Sequence, residues 1–110
     1  MSPRDKPLVW LKGDVKSPPF TDAARREAGF LLRMLQRGEN VVMPHARPIP
    51  IIGARCCELR INDVGLTWRI VCRVDADAIV IVAVFEKKTR ATPKPIIATC
   101  KDRLKRYDEL

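Results

Sequence analysis

Glu58, Arg60, Arg69 and Arg73 fall at alternating positions of two neighbouring apolar-rich stretches, RCCELRIND (55–63) and LTWRIVCRVD (66–75). Strand side chains alternate between the faces of a sheet, so this spacing gathers the four, with Asn62, on one face. If Val64 and Gly65 form a two-residue hairpin loop, Arg60 stands directly opposite Arg69. Like charges so placed repel, and stability alone would call for a counter-charge. Glu58 is one candidate, Asp102 or Asp108 from a C-terminal helix are others, and an RNA phosphate is the functional candidate. Guanidinium groups grip phosphate bidentately. Lys87, Lys88 and Arg90 follow the next apolar run, AIVIVAVFE (78–86), and extend the same positive region. Together these residues read as a basic, half-open sheet face suited to phosphate contact. The alternative is a salt-bridged surface sheet.

The composition agrees with an anionic partner. Twenty-one Lys and Arg against thirteen Asp and Glu leave a net charge of +8, which favours RNA, DNA or an acidic protein. Aromatic residues are too few to stack successive bases, which argues against a sequence-reading single-strand binder. Cys56, Cys57, Cys72 and Cys100 lack the paired spacing of a zinc site and read as reduced thiols, mostly small buried hydrophobes, with a reactive thiol as the alternative. His45, the one histidine, lies in a proline-rich stretch and reads as a surface residue rather than a catalyst. No apolar run is long enough to span a membrane, and the N-terminus lacks the apolar core of a signal peptide, so a cytoplasmic location is expected.

The elements that must position these residues can be laid out along 110 residues, enough for a single domain of two layers. Residues 1–6 are expected to be a frayed tail. PLVWLKG (7–13) reads as a first strand. FTDAARREAGFLLRMLQRG (20–38) reads as a helix with Thr21 as N-cap, Asp22 at the positive end of its dipole and Gly38 as its stop. Ala24, Ala28, Leu31 and Leu35 keep one apolar face on it, widened by Leu32 and Met34. The stretch with Pro44, Pro48 and Pro50 is an extended crossover. Three antiparallel strands follow as a meander. Cys57, Leu59 and Ile61, then Leu66, Trp68, Ile70, Cys72 and Val74, then Ile79, Ile81, Ala83 and Phe85 are expected to face the first helix. Val80, Val82 and Val84 go to the arginine face. Thr92-Pro93 marks the start of a last helix, with Thr92 as N-cap and Ile96, Ile97, Cys100, Leu104 and Tyr107 as its apolar stripe.

In order and spacing, AARREAGFLLRMLQRGE (23–39), ELR (58–60), WRIV (68–71) and FEKKTRATP (85–93) resemble the RelE/ParE superfamily of bacterial toxin–antitoxin toxins. The likeness is to its phage-derived HigB-like branch in particular. It runs from about residue 8 to residue 107, and the last stretch is its most specific part. The resemblance implies an α+β, RelE-like fold: a small antiparallel sheet of the N-terminal strand plus the three-stranded meander, the N-terminal helical segment packed on one face, and a C-terminal helix. It implies an mRNA interferase, a metal-independent and ribosome-dependent endoribonuclease that inhibits translation. The implied partners are the ribosome, mRNA and a helix-turn-helix antitoxin, with no cofactor. Arg69 matches the superfamily arginine that contacts the scissile phosphate, Arg60 the arginine of the branch's Glu-Leu-Arg pattern, and Lys87 and Lys88 its basic pair. Glu58 stands where RelE has a lysine general base and becomes the candidate base. Arg69, Arg60 and Glu58 are thus the catalytic candidates, and Lys87, Lys88, Arg90 and Arg73 the phosphate-binding ones. Two other functions remain open: a ParE-like, non-enzymatic inhibitor of DNA gyrase, and a non-toxic, phage-derived nucleic-acid-binding protein.

Overall fold

A computed structural model describes residues 5–12, 20–86 and 91–110 of the chain. Among these described residues, five strands and two helices follow in the order β1 (Leu8–Trp10), α1 (Asp22–Gln36), β2 (Ala46–Pro48), β3 (Cys56–Asp63), β4 (Leu66–Val74), β5 (Ile79–Glu86) and α2 (Lys94–Asp108). The strands form one sheet in the order β1-β5-β4-β3-β2. The fold is α+β, but the sheet is mixed rather than antiparallel, because β1 runs parallel to β5. The expected crossover contributes an edge strand as well, since Ala46, Arg47 and Pro48 pair with Leu59, Glu58 and Cys57. A proline is tolerated there because an edge strand has one side without ladder partners.

The first helix forms for the reasons its sequence contains. Thr21 sits in extended backbone, and its hydroxyl accepts a hydrogen bond from the Ala24 amide, one of the donors a helix start leaves unpaired. Gly38 ends the helix at φ 80°, a conformation glycine adopts without steric cost. Ala24, Ala28, Leu31, Leu32 and Leu35 are buried against Leu59, Ile61, Trp68, Ile70, Cys72, Ile79 and Ile81 of the sheet. Phe20 stacks on Trp68 with ring centroids 4.7 Å apart. Asp5 and Lys6, expected in the frayed tail, are tied to this helix: Asp5 pairs with Arg33 at 2.9 Å, and Lys6 exchanges hydrogen bonds with Gln36.

Asp63 fastens the helix start to the β3–β4 hairpin. Its carboxylate accepts from the Thr21 hydroxyl at 2.7 Å, the Trp68 indole at 3.0 Å and the Val64 amide at 2.8 Å. These donors, Thr21 foremost, hold its pKa down to about 2 from an ordinary 3.8. A carboxyl depressed in the folded state adds stability above its unfolded value and loses it as pH falls through the folded one. Wild type should therefore exceed Asp63→Asn in stability by a constant margin above about pH 5, shrinking between about pH 4 and 2. Urea unfolding at stepped pH measures this, and a margin unchanged down to pH 2 contradicts the assignment.

The second face of the sheet is covered as well. Cys100 and Leu104 of α2 pack, with Ile49 and Ile52 of the loop after β2, on Val71, Val80, Val82 and Ala83. The membership of Ala83 in this layer corrects the expected alternation. Register breaks between Val71 and Cys72: Cys72 pairs with Ile81 but Val71 with Ala83, leaving Val82 as an extra, bulged residue. Beyond the bulge the faces swap, so Val84 packs toward α1 while Ala83 and Phe85 lie on the α2 side. Arg103 of α2 donates from Nη1 to the Val82 carbonyl at 2.8 Å, satisfying a backbone group at the irregularity.

Candidate active site

The two-residue turn at Val64 and Gly65, with Gly65 at φ 71°, sets the register that places Arg60 opposite Arg69. Glu58 lies one alternate residue along β3 from Arg60 and pairs across the other edge with Arg47 of β2. Strand alternation and pairing thus bring Arg47, Glu58, Arg60 and Arg69 together on the α2 face.

Glu58 is the hub of this group and is fully buried. Its Oε1 lies 3.3 Å from Arg47 Nε and 3.7 Å from Arg69 Nε. Its Oε2 accepts the Thr92 hydroxyl at 3.1 Å. Thr92 had been expected to cap α2. Instead Pro93 holds the cap position without a side-chain bond, and the threonine reaches back to the sheet. Buried among cations, Glu58 is suited to anchoring arginines. A general base needs reach to the proton it removes, and here the Glu58 carboxylate faces Arg47, Arg69 and Thr92.

Arg69 is only 6% exposed, and its Nε and Nη1 are sealed from solvent without a hydrogen-bond partner. Burial draws its pKa down, Glu58 counters that, and Arg60 and Arg47 add to the lowering. An unmet buried donor costs about 1–3 kcal/mol, more when charged. The half-open face expected from sequence is therefore narrower: Arg60 and Arg47 reach solvent, while Arg69 sits beneath them. Among the described residues no ion pair engages Arg60. Two guanidinium groups thus flank one carboxylate and a third, Arg60, stands beside Arg69, an excess of positive charge that suits a phosphodiester.

Arg73 does not join this group. Its Nη1 and Nη2 donate to the two Asp108 oxygens at 2.9 and 2.7 Å, and its Nε and Nη2 to Asp75 at 2.7 and 2.9 Å. The Asp108 bonds, then those of Asp75, push its pKa up. With its donors on carboxylates, Arg73, expected from the sequence to contact phosphate, ties the last turn of α2 to β4. Lys87, Lys88 and Arg90 lie outside the described residues. His45 is exposed, with Nδ1 3.9 Å from Glu27. Among the described residues, no group of three or more His, Cys, Asp or Glu is placed to hold a metal, and no helix is long and apolar enough to cross a membrane.

Arg47 and Thr92 were not anticipated at this site. Nothing in the proline-rich stretch sets the pairing of β2 with β3, which alone brings Arg47 to Glu58. Thr92 carried a competing cap signal. A family model described as phage derived protein Gp49-like (DUF891) matches residues 19–105, which contain all of α1, the four later strands and both groups of arginines. No curated protein matches the chain.

Proposed function

Because the chain belongs to the phage-derived Gp49-like family, we propose that it is a toxin of the RelE-like, HigB-like kind: a ribosome-dependent endoribonuclease that cuts mRNA and blocks translation. The observation that carries this reading is the desolvated guanidinium of Arg69, two of whose nitrogens lack a hydrogen-bond partner, set opposite Arg60 with Glu58 behind it. Cleavage of RNA without a metal requires in-line attack of a 2′-hydroxyl on the adjacent phosphorus. Negative charge then builds on the phosphoryl oxygens. Donors fixed beforehand in a water-poor site stabilise that charge most, because they need no reorganisation as it develops. Arg60 takes this role at the surface, and Arg69, held by Glu58, adds its charge from beneath. Lys87, Lys88 and Arg90 would grip the backbone on either side. With Glu58 serving as anchor, the rate rests on charge stabilisation and on the ribosome's alignment of the message. A helix-turn-helix antitoxin is the proposed neutralising partner, and the cytoplasm the place of action.

The test is direct. Purified protein added to a translation reaction with end-labelled mRNA should produce discrete fragments, and the same mRNA without ribosomes should stay intact. A parallel gyrase supercoiling reaction should run unimpeded. Intact message together with blocked supercoiling would replace this reading with that of a ParE-like gyrase inhibitor.

A further inference from the structure

The four cysteines occupy different environments, and two of them meet. Cys57 of β3 and Cys72 of β4 are directly opposite in the antiparallel ladder, both on the face toward α1. Opposed residues in such a ladder have Cα atoms about 4.5–5.5 Å apart, within the roughly 4.4–6.8 Å that a disulfide spans. The two thiols perturb each other, Cys57 being drawn down and Cys72 pushed up. Cys72 is fully buried, whereas Cys57 is partly exposed and lines a cleft of about 450 Å³ with Lys6, Asn40, Val41, Arg55 and Val74. A small oxidant can therefore reach one sulfur of the pair directly and the other only through it.

We propose that Cys57 is a hydroperoxide-reactive thiol and Cys72 its resolving partner, closing a disulfide across β3 and β4. The Cys57 thiolate attacks one peroxide oxygen; an S–O bond forms, the O–O bond breaks, and the departing oxygen leaves as water or alcohol after taking a proton. The Cys72 sulfur then attacks the Cys57 sulfenic acid; the S–S bond forms, the S–O bond breaks, and the Cys72 proton leaves with the hydroxyl as water. Two thiols are oxidised by two electrons and one hydroperoxide is reduced.

The remaining thiols supply the internal contrast. Cys56 is 3% exposed and Cys100 fully buried, both on the α2 side of the sheet. Burial pushes the Cys56 thiol up and holds Cys100 at about 11, whereas Cys72 draws Cys57 down. Reactivity follows thiolate character and access, and both single out Cys57.

The experiment exposes the reduced full chain to hydrogen peroxide and follows intact mass and peptide maps. Wild type should lose two hydrogens, with Cys57 linked to Cys72, and Cys57 should be consumed at least about tenfold faster than Cys56 or Cys100. Cys72→Ser should stop at a sulfenic acid on Cys57 that dimedone traps, and Cys57→Ser should leave Cys72 unmodified. Circular dichroism of each variant verifies folding, and the wild-type map is informative without them. Addition of oxygen to wild type with no disulfide, or first reaction at Cys56 or Cys100, overturns the proposal.

Discussion

Arg69→Ala should lower ribosome-dependent mRNA cleavage about 10²–10³-fold, the loss of roughly 2.7–4 kcal/mol of barrier stabilisation that removal of one preorganised charge donor brings. The size of the effect follows from burial. A surface arginine contacting phosphate is screened and replaceable by water, but Arg69 is 6% exposed and two of its nitrogens lack a hydrogen-bond partner among the described residues. Its charge acts in a medium of lower dielectric, where an oxyanion gains more from it. Arg60→Ala should cost less, because Arg60 is partly solvated. Single-turnover cleavage of labelled message measures both variants, with urea melts run alongside to show that they are folded. An Arg69→Ala protein that cuts like wild type removes the basis for a catalytic arginine here.

Glu58→Ala should produce the largest loss of stability, about 3–5 kcal/mol, the usual consequence of removing one member of a buried ion pair. The carboxylate faces Arg47 and Arg69 and receives the Thr92 hydroxyl, so one substitution loosens β2, β4 and the approach to α2 together. Urea denaturation reads the effect as a lower midpoint. Glu58→Gln separates anchor from base: it retains an acceptor for Thr92 and much of the shape while abolishing proton uptake by a carboxylate. If Glu58 is the anchor, cleavage by Glu58→Gln in the folded range should stay within about tenfold of wild type, less than a missing general base costs. A loss of about 10³-fold or more in a well-folded Glu58→Gln protein restores the role of base.

Local signals carried much of the fold. Thr21, Asp22, the i, i+4, i+7 stripe and Gly38 delimit α1 because caps and amphipathic spacing act within a few residues of one another. Val64-Gly65 likewise sets the pairing of β3 with β4, and from that pairing follows the opposition of Arg60 and Arg69. Long-range features escaped. The parallel pairing of β1 with β5, the edge strand at Arg47 and the reach of Thr92 to Glu58 depend on segments brought together only by folding. The burial of Arg69 was hidden for the same reason, since it depends on what lies above the sheet and not on the strand that carries the arginine. Charge count showed that cations predominate; it could not separate Arg73, committed to two aspartates, from Arg69, which has unmet donors.

The extra residue at Val82 decides which chemistry borders the site. In a strand that paired every residue on from Ile81, Val84 would stand opposite Arg69, Glu86 would join the α2 face two residues further on, and the aromatic ring of Phe85 would turn toward α1. As folded, Phe85 is the residue paired with Arg69, and Glu86 pairs with Trp68 on the reverse side. Bulging one residue out of the ladder thus keeps a second acid off the face of the guanidinium cluster and puts a water-repelling ring beside it.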